Sequence, residues 1–278
     1  MIRPLAAFAL FLSACAPVQA DEGRFRADMI ALLKKAYPDV GFAPGEEALT
    51  VSARGGGWEE ERTINLHRIY HFCRTATAED CGAIKEEFAA NIGQTPDEPT
   101  AASLRIIVRD ADYAGYFDAL EAKAGKRLSV RRRIGEDLFA LLASDGETTI
   151  ASVGDETLAD LGLSEEEAWS RAWRQTLVGL PIIPEPAKFR EQAIAFEAEQ
   201  YLASLTADLP TWRKISDAVG PDLFMTVVSD QFVFAGPMAD GPGLEEFRKT
   251  VAEDCAAQPR CVSPNIYRFR NGRWVIAR

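Results

Sequence analysis

Histidine is the scarcest residue of this chain: His67 and His71 are the only two in 278. Their i, i+4 spacing places both on one helix face and suits a pair of metal ligands. No third ligand accompanies them, and Arg68, Ile69 and Tyr70 stand where H-E-x-x-H needs its glutamate, so a metal site is not expected. Other catalytic signatures are missing too: G-x-S-x-G, S-x-x-K and the dinucleotide-binding glycine fingerprint do not occur. The three glycines Gly55-Gly56-Gly57 precede Trp58-Glu59-Glu60-Glu61, not the G-K-[S/T] of a phosphate-cradling loop, and no cofactor is expected. Positive charge is also short. The 31 basic residues face 42 acidic ones, a net charge of −11, which disfavours nucleic acid because phosphate neutralisation supplies most of that affinity.

One long apolar run is present, and it lies at the start. Arg3, the stretch Leu5 to Ala14 and the tetrad Leu12-Ser13-Ala14-Cys15 form a bacterial export signal, too short in its apolar part for the roughly 20 residues of a membrane span. Leu-Ser-Ala-Cys resembles a lipobox, in which Cys15 would be lipidated and become the new N-terminus. Val18-Gln19-Ala20 also satisfies the small-residue rule, so secretory cleavage after Ala20 is the competing reading of residues 1–20. The expected address is the bacterial periplasm or cell envelope, with a lipid anchor in the membrane. Removing residues 1–14 takes away Arg3 alone, leaving an acidic body of −12.

Four cysteines remain after either cut: Cys73, Cys81, Cys255 and Cys261. In an oxidising compartment their spacing predicts local disulfides Cys73–Cys81 and Cys255–Cys261. Eight residues of continuous helix would hold the α-carbons about 12 Å apart and six about 9 Å, whereas a disulfide accepts about 4.4–6.8 Å. Each bridge must therefore straddle a turn, in keeping with Thr75, Thr77 and Gly82 around the first loop and Pro259 interrupting the second.

The hydrophobic fraction of 47% and charged fraction of 26% are those of a globular protein. Residues 24–92 predict an αββα unit: a helix over 24–36, strands through Leu49, Val51 and Ala53 and through Ile64 and Leu66, then helices at 67–75 and 79–92. Gly93 to Thr100 is a linker. The central segment, 103–178, predicts a strand at 104–108, a helix at 111–124, strands at 138–143 and 148–153, and a helix opened by the capping box Ser164/Glu167. After the proline-rich Gly179–Pro186, the C-terminal segment 190–278 predicts strands at 201–205, 223–228 and 232–234, with helices at 209–219 and 244–255. It closes on a hairpin, 266–269 with 274–276, whose Asn271-Gly272 suits a type I′ turn. Strands and helices without regular alternation predict an α+β fold with helices packed on one face of the sheets.

The runs Ala36-Tyr37-Pro38-Asp39, Thr63-Ile64-Asn65-Leu66 with Ile69-Tyr70, and Leu104 to Arg109 resemble the YtpQ-like bacterial family, the domain of unknown function 1444. The resemblance continues through Ser152-Val153, Leu158 to Glu167, Asp222 to Val228 and Asp230 to Phe234, and covers about residues 24–278. It implies an α+β domain and no established activity. Members are usually cytoplasmic, so the export signal and the four cysteines are departures.

Two pairs are the candidates for catalysis. Asp110 and Asp112, just after a strand, would serve as paired carboxylates, although Asp-Ala-Asp before a helix is also good N-terminal charge chemistry. His67 and His71 are the second pair. Lys126, Arg127, Arg131, Arg132 and Arg133 make the one dense basic patch and would receive an acidic partner. The expected function is a non-catalytic envelope lipoprotein that binds a protein or cell-wall partner. A periplasmic hydrolase using one of the two pairs is the alternative.

Overall fold

A computed structural model describes residues 22–74, 76–93, 97–146, 150–258 and 261–278. Its helices and antiparallel sheets are those of an α+β protein. The chain divides into two compact units, Met1–Ala89 and Ala90–Arg278, and each is described by itself.

In the first unit, helix α1 (Glu22–Ala36) buries Phe25, Met29 and Leu33, an i, i+4, i+8 stripe that explains why this segment is helical and packed. Strands β1 (Val40–Pro44), β2 (Thr50–Gly55) and β3 (Trp58–Asn65) pair antiparallel in that order. Val40 and Phe42, Val51 and Ala53, and Ile64 turn to the core. Helices α2 (His67–Cys73) and α3 (Ala78–Asn91) complete the αββα order, with β1 as an additional edge strand. Two alternating apolar residues around Gly41 are too weak a signal to announce a strand. Cys73 is bonded to Cys81 with the α-carbons 4.9 Å apart, so the bridge straddles the α2–α3 turn.

The second unit holds two sheets. Strands β4 (Leu104–Asp110), β5 (Arg131–Arg133), β6 (Leu138–Asp145) and β7 (Ile150–Ser152) form one, in the order β4-β6-β5 with β7 also on β6. The other runs β12-β11-β9-β10-β8, from β8 (Ile194–Glu197), β9 (Leu223–Ser229), β10 (Phe232–Pro237), β11 (Ile266–Arg270) and β12 (Arg273–Ile276). Helices α4 (Ala111–Ala124), α5 (Asp155–Asp160), α6 (Glu165–Leu177), α7 (Lys188–Glu191), α8 (Leu209–Val219) and α9 (Pro242–Ala257) pack around them. The segments 103–178 and 190–278 meet in a single core: Ile106 and Val108, Ala140 and Leu142, Trp169, Trp212, Met225, Val227 and Trp274 belong to one cluster. The opposite side of β4 and β6 buries Ile107, Leu141 and Ala143 against Tyr201.

Local signals are realised where they were strongest. Ser164 and Glu167 form the reciprocal capping box of α6. Asn271 and Gly272 both have positive φ, 51° and 78°, as a type I′ turn between β11 and β12 requires. Cys255 and Cys261 are bonded across the end of α9, α-carbons 5.1 Å apart. No helix among the described residues is long and apolar enough to cross a membrane.

The segment 201–205 is not the expected strand. Tyr201 is left-handed, φ 62°, and Leu202–Ala207 is a 3-10 helix with Leu202 to Thr206 all buried. Two indole N–H groups explain the outcome: Trp212 donates to the Leu205 carbonyl at 2.7 Å and Trp274 to the Thr206 carbonyl at 2.9 Å. Buried indoles need an acceptor, and the tight turn aims its carbonyls at them where a sheet ladder would have used those carbonyls.

Two long-range features join the sheets. The outer edge of β4 is closed by side chains: Ile106 N–H donates to Thr176 Oγ1 at 2.9 Å and Ser204 Oγ donates to the Ile106 carbonyl at 2.6 Å. The β5–β6 turn docks on β12. Gly135 forms a parallel bridge with Trp274, so close that an added Cβ would lie 3.0 Å from the Trp274 carbonyl oxygen. Glu136 N–H donates to that same carbonyl at 2.7 Å, and the Glu136 carboxylate accepts from Ile276 N–H at 3.0 Å.

Candidate functional site

Asp110 ends β4 and becomes the N-cap of α4, where its carboxylate accepts from Tyr113 N–H at 2.9 Å. Burial pushes its pKa up, assisted by the negative charges of Asp112 and Asp137 and only partly opposed by the cap bond. Asp112 is exposed in the first turn of α4, where a carboxylate complements the helix dipole. Both residues thus have a structural task, with Asp110 also held at a raised pKa of the kind a general acid uses.

Asp137 lies nearby. Asn265 donates to its Oδ2 at 2.8 Å, while its Oδ1 is buried and has no hydrogen-bond partner among the described residues. Across the seam Ser263 Oγ and Tyr267 Oη are 2.5 Å apart, and burial together with the Asp137 charge pushes the Tyr267 phenol far up. The result is a polar seam linking the start of β6 to the start of β11, with its phenol held neutral.

The histidines sit in the first unit, at α2. His67 N–H and Nδ1 each lie 2.9 Å from Asn65 Oδ1, which fixes the helix entry, and His71 is exposed beside the Tyr70 ring. Among the described residues no three His, Cys, Asp or Glu side chains are grouped so as to hold a metal ion. Cys73, Cys81, Cys255 and Cys261 are all in disulfides. Cys15 lies outside the described residues.

Four of the five basic residues of the patch are paired with carboxylates of the same unit. Lys126 pairs with Glu156 at 2.7 Å and Arg127 with Glu165 at 2.8 Å. Arg131 is held by Glu121 at 2.8 Å and by Asp118, and Arg132 by Glu166 at 2.6 Å while lying over the Trp169 ring. Arg133 donates Nε to the Gly135 carbonyl at 2.9 Å and stands over Phe139. An acidic partner docking here would have to displace those internal contacts.

Uncommitted charge lies instead where α8 meets the β11–β12 hairpin. A groove of about 360 Å³ is lined by Arg213, Ser216, Asp217, Phe269, Asn271 and Gly272. Helix α8 buries Trp212 and Ile215 on one side, which leaves Arg213, Ser216 and Asp217, at i, i+3 and i+4, on the other. Trp212 packs edge-on to Trp274 at 5.3 Å, and Trp274 to Phe269 at 4.9 Å, so the aromatic stack fixes the hairpin against the helix, with the Phe269 ring itself buried in the core. The type I′ turn then presents Asn271. The Arg213 guanidinium lies against Gly272, whose φ of 78° in the type I′ turn favours glycine. The polar stripe of α8 was visible in the sequence, but its partner Asn271 is more than fifty residues away and nothing local connects them.

No family model, curated protein or solved structure matches this chain.

Proposed function

We propose that the protein is an exported envelope lipoprotein, anchored through Cys15, that works by binding a partner or ligand instead of by chemistry. The observation that carries this reading is the pair of disulfides, because such bonds form and persist in oxidising compartments, to which the Leu12-Ser13-Ala14-Cys15 signal would direct the chain. The resemblance to the YtpQ-like family belongs to the same proposal and brings no assigned reaction with it. Binding is supported by the use of the candidate catalytic residues: Asp110 caps α4, and His67 is held by Asn65. Fractionation of cells producing the full chain tests the address. The protein is expected in the membrane fraction, labelled by fatty acid, and Cys15→Ala should abolish the label; an intact soluble form beginning at Asp21 would overturn the anchor.

A periplasmic hydrolase is the second reading, favoured by the raised pKa of Asp110 beside Asp112 and Asp137. Asp110→Asn keeps the cap and removes the proton donor. Loss of the cellular phenotype in that variant, with fold and abundance unchanged, would favour the hydrolase.

A further inference from the structure

We propose that the groove between α8 and the β11–β12 hairpin binds a small carboxylated ligand bearing hydroxyl groups, the chemistry of a sugar acid. The inference rests on the binding reading above and assigns it a place and a ligand class.

Four polar side chains converge on the groove, Arg213, Ser216, Asp217 and Asn271, and none has a side-chain hydrogen bond or ion pair among the described residues. Arg127, Arg131, Arg132, Arg248 and Arg268 are each paired to a carboxylate, whereas Arg213, like the exposed Arg190 and Arg273, is in no ion pair among the described residues; what distinguishes Arg213 is its place on the groove. Arg213 and Asp217 are one turn apart on α8 and yet form no salt bridge within 4.0 Å, so both remain available to a third group.

Each polar lining group selects one feature of the ligand. The Arg213 guanidinium is a planar fork of donors matched to a carboxylate. Asp217 accepts only, which suits hydroxyl protons and repels a second negative charge, disfavouring phosphate chains and nucleic acid. Ser216 and Asn271 both donate and accept, as vicinal hydroxyls require. The volume sits at the lower end of the roughly 300–1,000 Å³ of small-molecule sites, which favours a ligand of one or two rings.

Calorimetric titration of the mature protein tests the proposal, with D-glucuronate as the probe and D-glucose, acetate and inorganic phosphate as controls. Glucuronate should bind saturably, each control about tenfold or more weakly, and Arg213→Met should lose about tenfold or more in affinity, the value of one charge-assisted contact. Asp217→Ala should narrow the gap between glucuronate and acetate, since it removes the acceptor for hydroxyls. Circular dichroism establishes that both variants are folded, and Ser216→Ala gives a milder variant if Arg213→Met is not. A disaccharide carrying one glucuronate on one neutral glucose separates the sources of the same chemistry: tighter binding of the disaccharide assigns the site to an acidic glycan, and binding of the monomer alone assigns it to a free sugar acid. No glucuronate binding, equal binding of phosphate, or affinity unchanged in Arg213→Met would overturn the proposal. A Cys15→Ala protein that leaves the membrane but still binds glucuronate separates the groove from the anchor.

Discussion

Asp110 shows how a single side chain serves two readings that differ in sign. Its carboxyl has a raised pKa in the folded protein, so between the unfolded value and the folded one the native state holds more protons and stability falls as pH rises through that window. Asp110→Asn retains a capping oxygen and never carries the charge, so at neutral pH its thermal midpoint should equal or exceed that of the parent, with the advantage disappearing on acidification. Asp110→Ala loses the cap, worth about 1 kcal/mol, and its deficit should be larger at acid pH than at neutral pH, where removal of the buried charge offsets part of the loss. Glu121 behaves oppositely. Burial pushes its pKa up, but hydrogen bonds from Arg131 and from Ser129 and Leu128 N–H outweigh that and leave it lowered. Its contribution is present above the ordinary carboxylate range and lost as pH falls through the lowered value, and Glu121→Gln should cost about 1.5–3 kcal/mol at neutral pH by denaturant titration.

At the level of elements, the closed edge of β4 is the feature with the clearest consequence. Thr176 and Ser204, from α6 and the 3-10 helix, satisfy the two backbone groups of Ile106 that a neighbouring strand would otherwise take. Ser204→Ala leaves a buried carbonyl unpaired and Thr176→Val a buried N–H, each expected to cost about 1–3 kcal/mol, and the double variant should aggregate more readily because the edge is reopened. Turbidity on heating and urea midpoints measure both effects. The same elements show what was legible in the sequence. The α6 helix announced itself through Ser164 and Glu167, and the terminal hairpin through Asn271-Gly272, because caps and turns are decided by neighbours in the chain. The segment at Tyr201 was misread as a strand because its apolar run resembles one, while its outcome depends on Trp212 and Trp274. Density of charge was equally visible at Arg131 to Arg133, but Glu121 and Glu166, which pair with Arg131 and Arg132, come from helices before and after. The groove escaped for the same reason, since Arg213 and Asn271 meet only after folding.

For the whole molecule, the two units can be followed separately because of where the tryptophans fall. Trp58 belongs to the first unit, whereas Trp169, Trp173, Trp212 and Trp274 belong to the second. The Cys73–Cys81 loop is short, and the chain-entropy model gives it about 2–3 kcal/mol. Cys73→Ala with Cys81→Ala should therefore weaken the first unit by that amount, seen as faster hydrogen exchange in α2 and α3, while the tryptophan fluorescence transition of the second unit stays in place. The docking of the β5–β6 turn on β12 also determines the order of events during synthesis. Glu136 takes its partner from Ile276, 140 residues later, and Asp137 from Asn265, 128 residues later. Contacts of such high sequence separation make folding slow, and this one cannot begin before the terminal hairpin has emerged. Until then Trp212 has no Trp274 to pack against and Gly135 has no edge to dock on, so the growing second unit keeps apolar surface exposed until the β11–β12 hairpin has been made.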